Sequence, residues 1–262
     1  MWTLFFTVLT ACGYALPALM VARWGEARAR QCLMLTGVIH LVTLSLSLWG
    51  DEPRFGFAPA LSVTAWLVLA TYVVESQFFP QLKARWALAS LGALAVLAAW
   101  LYPGKPLQAE ASPWLPLHWA LGIASYGMFG AAVMHAGLMS HAERQIRLAQ
   151  GVDSGLPLLT LERLTFRFVN IGFVLLTATL CAGFFFGETL YGSNGATWKW
   201  DHKTIFSLLS WLTFALLLIG RARMGWRGKR AVRMLYIGAG LLLLAYVGSR
   251  FVLEVLLGRT GA

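Results

Sequence analysis

Eight stretches of this chain are apolar over close to the roughly 20 residues that a helix needs to cross the hydrocarbon of a bilayer, and no other feature limits its fold as much. They cover residues 4–21, 33–49, 61–79, 86–102, 115–138, 168–187, 205–219 and 232–257. A chain of 262 residues that is 58% hydrophobic and 12% charged, with mean hydropathy +0.67, has too much apolar surface for one water-soluble core. In hydrocarbon every backbone N–H and C=O must be satisfied within the chain, which leaves helices for runs of this length. The expected fold is an all-α polytopic membrane protein of about eight transmembrane helices. The polar stretches 50–59, 103–113, 145–167 and 188–204 are too short for a soluble domain, so residues 1–262 are read as a single membrane domain.

The net charge of +10 does not point to nucleic acid, because the basic residues sort by loop. With the N-terminus outside, the cytoplasmic face receives Arg23, Arg28, Arg30, Lys83, Arg85, Arg144, Arg147, Arg163, Arg167 and the cluster Arg221, Arg223, Arg227, Lys229, Arg230 and Arg233. The outer face holds only Arg54, Lys105, Lys199, Lys203 and Arg259, while Arg250 falls within the last run. Since loop Lys and Arg residues set orientation, both termini are expected outside the cytoplasm. The cluster from Arg221 to Arg233 needs no partner beyond this rule and anionic lipid headgroups.

The first run has no basic residue before it, and Leu9-Thr10-Ala11-Cys12 resembles a lipoprotein cleavage box only in isolation, so it is read as a retained helix. Cys12, Cys32 and Cys181 lie in or beside apolar runs without paired spacing, and no Cys-x-x-Cys-His motif for covalent haem occurs. The chain also has no phosphate-cradling glycine loop and no nucleophile beside a base, which excludes the common nucleotide enzymes and hydrolases.

Two polar stretches carry organisation. In 145–167, helix five continues past Met139 through His141, Glu143, Arg144 and Arg147 and ends near Gly151; Gly151, Asp153, Gly155 and Pro157 then form a turn. Leu158, Leu161, Glu162 and Leu164 at helical spacing read as a short interfacial helix leading into the sixth span. In 188–204, on the outer side, Trp198 and Trp200 point the same way if the segment is extended, and Asp201 is an N-cap for the next helix. Paired tryptophans at a membrane surface have two readings. One is an aromatic belt among headgroups. The other is a shelf for a flat apolar ligand, with Lys199 and Lys203 near its acidic substituents. Haem is such a ligand: planar, with anionic propionates and an iron that takes axial imidazole.

The residues Leu161-Glu-Arg-Leu-Thr-Phe-Arg167-Phe-Val-Asn-Ile-Gly172-Phe173-Val-Leu-Leu176-Thr177, then Gly183, Trp198-Lys-Trp200-Asp201-His-Lys203 and Ser210-Trp211-Leu212, resemble the cytochrome c assembly proteins. These are CcsA-type haem handlers with a tryptophan-rich WWD loop. The resemblance spans about residues 117–257, and the ligand positions missing from it, named below, fit better the smaller HemX- and YpjD-like members of about eight spans. It implies that the loop holds non-covalent, b-type haem outside the membrane for presentation to apocytochrome c, with external histidines on the iron. By that resemblance His118 matches the first external ligand, Trp198, Trp200 and Asp201 form the haem-binding loop, and His202 stands where the family has proline, as a substitute ligand. The second external histidine is absent: that region reads Gly248-Ser249-Arg250-Phe251, with Glu254 beyond. The membrane histidine of the family falls at Ile219, and its first loop tryptophan at Asn194.

Other candidates come from the residues alone. His40 and His135 lie in apolar runs; they either ligate a haem between them or bond to a neighbouring helix backbone. His141 is read as solvated. Arg250 and Glu254, one helical turn apart, either neutralise each other or leave Arg250 for a propionate. Glu75 and Glu188 need partners from other helices and invite a carrier reading, which no inverted repeat supports. Two function classes follow: a haem-handling assembly protein, whose share of the chemistry is to hold and present, or a non-catalytic partner or regulator of haem synthesis or of a neighbouring transporter that kept the fold and lost ligands.

Overall fold

The computed structural model describes residues 2–48, 54–79, 85–106, 112, 114–148, 156–187 and 200–248. Seven helical elements account for nearly all of them: α1 (Trp2–Leu48), α2 (Phe57–Phe78), α3 (Arg85–Leu101), α4 (Leu115–Arg147), α5 (Leu158–Phe185), α6 (His202–Met224) and α7 (Gly228–Leu243), which runs on as a π-helical turn, Leu244–Gly248. Among the described residues six helical segments are long and apolar enough to cross a membrane: Ala27–Leu48, α2, α4, α5, α6 and Gly228–Gly248. Two shorter apolar helices, Thr3–Pro17 and Leu88–Leu101, fall in the first and fourth hydrophobic runs. Large apolar side chains such as Leu19, Phe78, Leu159 and Phe185 stand more than two-thirds exposed, a surface suited to lipid and not to water. The chain is an all-α polytopic membrane protein. By contacts it divides into two helical units, one with α1–α3 and one with α4–α7.

In the first unit, the segment carrying Arg23, Arg28 and Arg30 is not the loop expected between the first two spans. Helix continues through it, broken at Gly25, whose φ of 75° a residue with a Cβ rarely adopts. The two arms of α1 then lie against each other through small and hydroxyl residues. Thr10 and Thr43 share a 2.8 Å hydrogen bond, and a Cβ on Gly13 would stand 2.6 Å from the Thr36 hydroxyl oxygen. Tyr14 of α1 packs into α3 at Gly92, where a Cβ would meet its ring at 2.4 Å. Beyond the helices, Arg54–Phe55 (β1) pairs antiparallel with Lys105–Pro106 (β2), so the polar stretches after α1 and α3 meet at one end of the unit.

The core of the second unit is a stack of two rings between two glycines. Phe129 of α4 and Phe214 of α6 lie 3.8 Å apart at 4°, both buried. Gly172 of α5 backs Phe129 and Gly238 of α7 backs Phe214, with Cβ positions 3.1 Å and 2.8 Å from the rings. Four helices meet there only because two carry no side chain. Hydrogen bonds fix the register: the Ser210 hydroxyl donates to the Gly238 carbonyl at 2.8 Å, and the Trp211 indole N–H donates to Thr177 Oγ1 at 2.9 Å while its ring stacks on Phe173. Thr177, Phe173 and Trp211 are among the residues that carry the family resemblance, and here they bind α5 to α6.

As the sequence suggests, α4 runs on as a polar helix, reaching Arg147. The short interfacial helix is not separate, however. α5 starts directly after Pro157 and continues unbroken to Phe185, so Leu158, Leu161, Glu162 and Leu164 are its first turns. Leu161 and Leu164 are buried there, which packs this amphipathic start onto protein. The turn residues Gly151, Asp153 and Gly155 lie outside the described residues. At the same end of the unit, Arg221 of α6 donates to Glu162 Oε1 at 2.6 Å, with its guanidinium 3.6 Å from the centre of the Phe166 ring, and Arg227 approaches the same oxygen at 3.8 Å.

Candidate functional site

The opposite end of the second unit gathers the start of α4, the end of α5, the start of α6 and the π-helical turn of α7. His118 sits in the first turn of α4, which Trp114 precedes and Pro116 opens with its fixed φ. Its ring is half-buried and faces Gly183 of α5, where a Cβ would lie 3.5 Å from Cε1. Lys203 of α6 is close enough for its ammonium to act electrostatically on His118. The same ammonium stands 5.9 Å from the centre of the Tyr246 ring, on the π-helical turn. An imidazole, a cation and an aromatic ring from three helices thus converge where the unit ends.

Asp201 organises the approach to α6 as the sequence predicts. In extended conformation it accepts the Thr204 N–H at Oδ1, 2.8 Å, satisfying one of the orphan donors of the first turn. Just before it Trp200 is 71% exposed, a large indole face at the rim and not in the core. His202, the first residue of α6, is exposed and makes no hydrogen bond or ion pair among the described residues. Trp198, Lys199, Asn194, Glu188, Arg250 and Glu254 lie outside the described residues, so the tryptophan pair and the Arg250–Glu254 alternatives rest on sequence.

The membrane histidines are placed in different units. His40, fully buried in the first, has both ring nitrogens engaged: Nδ1 with the Tyr14 hydroxyl at 2.8 Å and Nε2 with Ser62 Oγ at 2.9 Å. A neutral imidazole offers one donor and one acceptor, and the two hydroxyls supply the complements. An iron there would have to displace one of them. His135, fully buried in the second unit, donates from Nδ1 to the carbonyl of Ala131 one turn back, at 2.8 Å, and packs against Phe168. This backbone partner is on its own helix, and in a neutral ring that donates from Nδ1 the lone pair falls on Nε2. Glu75 is buried in α2; from another helix, α1, Arg30 reaches the adjacent Ser76 carbonyl at 3.4 Å.

Tyr246 and Tyr126 are site residues that sequence reasoning missed. The Tyr126 hydroxyl, two turns below His118 on α4, donates to the Leu242 carbonyl at 2.7 Å, just where α7 widens into its π turn. Such turns recur at functional sites because the extra residue re-aims a side chain, here Tyr246. The residues present fit a haem: an imidazole that can ligate iron, a glycine that leaves the ring accessible from α5, a lysine for a propionate and an exposed indole for the macrocycle.

The sequence profile of a family described as Cytochrome C assembly protein matches residues 32–257, well upstream of the resemblance read from about residue 117. Among curated proteins, the inner membrane protein YpjD of Escherichia coli K12 is 34% identical over 150 residues, 56% of this chain and 55% of that protein. An uncharacterized 28.8 kDa protein of Azospirillum brasilense is 31% identical over 76% of each chain. The cytochrome c biogenesis protein CcsA of Synechococcus sp. strain CC9605 is 24% identical over 93% of each. The matches to YpjD and to the CcsA of Synechococcus elongatus cover only 55% and 34% of those proteins' lengths. No solved structure matches the chain.

Proposed function

The chain belongs to the cytochrome c assembly protein family, and we propose that it serves cytochrome c biogenesis as a haem-handling protein that holds b-type haem at the outer end of the α4–α7 unit. It is a multi-pass protein of the bacterial inner membrane. The observation that supports the reading is the convergence of His118, Lys203 and Tyr246 from three helices, beside the segment that carries Trp200. His118 is the iron ligand, Lys203 takes a propionate, and Trp198 and Trp200 cover the macrocycle, with Asp201 fixing where the loop enters α6. His202 is the candidate for the second ligand, and Arg250 for the second propionate. Bound haem supplies the vinyl groups that apocytochrome thiols attack; the protein's residues bind and orient it and do no covalent chemistry. Other assembly or haem-pathway proteins are the partners this role requires.

A specific observation favours a second reading. No histidine occurs in or after the last span, where the family's second external ligand is expected, and this fits a non-catalytic partner that kept the fold. Purifying the full chain from haem-replete cells and recording its visible spectrum separates the two. The haem-handling reading predicts a Soret band at near-stoichiometric yield that weakens in His118→Ala or His202→Ala. A colourless preparation, or a band unchanged in both variants, overturns it.

A further inference from the structure

We propose that a groove between α4 and α7, at the end of the unit opposite the histidine site, is a binding site for a phospholipid whose headgroup carries both a phosphodiester and a primary ammonium, the chemistry of phosphatidylethanolamine. The groove is open on one side, is lined by Ser140 and Glu143 of α4 and by Lys229, Val232, Arg233, Tyr236 and Ile237 of α7, and has a volume of about 490 Å³. Two cations and one carboxylate border it. Among the described residues Lys229 and Arg233 pair with no carboxylate, and Glu143 with no cation.

A second cavity of similar size, lined by Arg221, Arg227 and Asn170, differs in kind: its arginines already share Glu162. Its charge is used within the fold, whereas that of the α4–α7 groove is left for a ligand. The lining also changes along the groove. Lys229 and Arg233 lie on the first turns of α7, and Tyr236 and Ile237, both more than 40% exposed, continue toward mid-membrane. The Tyr236 hydroxyl is hydrogen-bonded to Ser140, which ties α7 to α4 across the groove. Charged at one end and apolar at the other, the groove matches an amphiphile that enters from the lipid side. Phosphate oxygens accept from Lys229 and Arg233, and Glu143 accepts from a primary ammonium. A purely anionic headgroup would leave Glu143 facing a hydroxyl or another negative charge.

The test uses the full chain, purified in mild detergent and mixed with equal phosphatidylethanolamine and phosphatidylglycerol, with native mass spectrometry reading the lipid retained. The wild type retains phosphatidylethanolamine in excess. The double variant Lys229→Gln/Arg233→Gln loses about tenfold of both lipids, as expected for removing charge-assisted hydrogen bonds. Glu143→Gln keeps binding but loses the preference, so the ratio of the two lipids moves toward one. Soluble glycerophosphoethanolamine leaves the retained lipid in place, because it lacks the chains that lie along Tyr236 and Ile237. Displacement by this soluble headgroup would reassign the groove to a free phosphate ester and overturn the lipid assignment. Unchanged adducts in the double variant, an unchanged ratio in Glu143→Gln, or a wild type that prefers phosphatidylglycerol would each overturn the proposal.

Discussion

A single methyl group added at Gly238 should unsettle the second unit, and the structure says by how much. A Cβ there would stand 2.8 Å from Cε1 and 2.9 Å from Cζ of Phe214, whereas non-bonded carbons settle at about 3.5–4.0 Å. Phe214 has no room to retreat. Its ring is stacked 3.8 Å from Phe129, and Phe129 is itself backed by Gly172, whose Cβ position is 3.1 Å away. Nor can α7 step back without stretching the 2.8 Å bond from Ser210 to the Gly238 carbonyl. Overpacking of this kind costs about 1–3 kcal/mol. Reversible unfolding in mixed detergent micelles, followed by tryptophan fluorescence, reads the loss for Gly238→Ala. In a Phe214→Leu background the planar ring is gone and the same methyl should cost less than about 0.5 kcal/mol, giving a coupling of about 0.5 kcal/mol or more. Equal losses in both backgrounds, or none in the wild-type background, would refute the stacked-ring account of how four helices meet.

Other expectations follow from the same contacts. Tyr14→Phe removes a hydrogen-bond partner of buried His40 and should cost about 1–3 kcal/mol of stability with no change in the visible spectrum of haem-loaded protein; a spectral change would make His40 a ligand. Gly183→Leu should lower haem retention more than Gly183→Ala, since a Cβ at 183 already touches His118 at 3.5 Å; equal retention in the two variants would remove Gly183 from the site. With the native cysteines replaced by serine, a membrane-impermeant maleimide added to spheroplasts should label Trp200→Cys and spare Arg227→Cys. The reverse pattern would invert the orientation read from charge.

What the sequence made legible was whatever depends on neighbours in the chain. The apolar runs, the cap at Asp201 and the polar extension of α4 each follow from local composition, and the structure has all three. The contacts that define the units are long-range and left no such trace. Nothing in the spacing of His40 reveals that Tyr14 and Ser62 close on its two nitrogens, and Gly172 and Gly238 look like ordinary membrane glycines until Phe129 and Phe214 are seen between them. Charged residues at 23–30 suggested a loop because polarity usually marks a break, yet one glycine at positive φ is the only non-helical residue there. At the site, His118 was found through its resemblance to a family ligand, while Tyr246 was missed because a π-helical turn, which no periodicity announces, aims it toward Lys203.

The claim on which the functional account turns is that His118 supplies an imidazole to haem iron at the outer end of the α4–α7 unit. Replacing it with glycine leaves a space that free imidazole can fill. The account predicts that His118→Gly, purified from haem-replete cells, loses the Soret band of the wild type and that added imidazole restores it. A His118→Gly protein with the wild-type spectrum and no response to imidazole would contradict it.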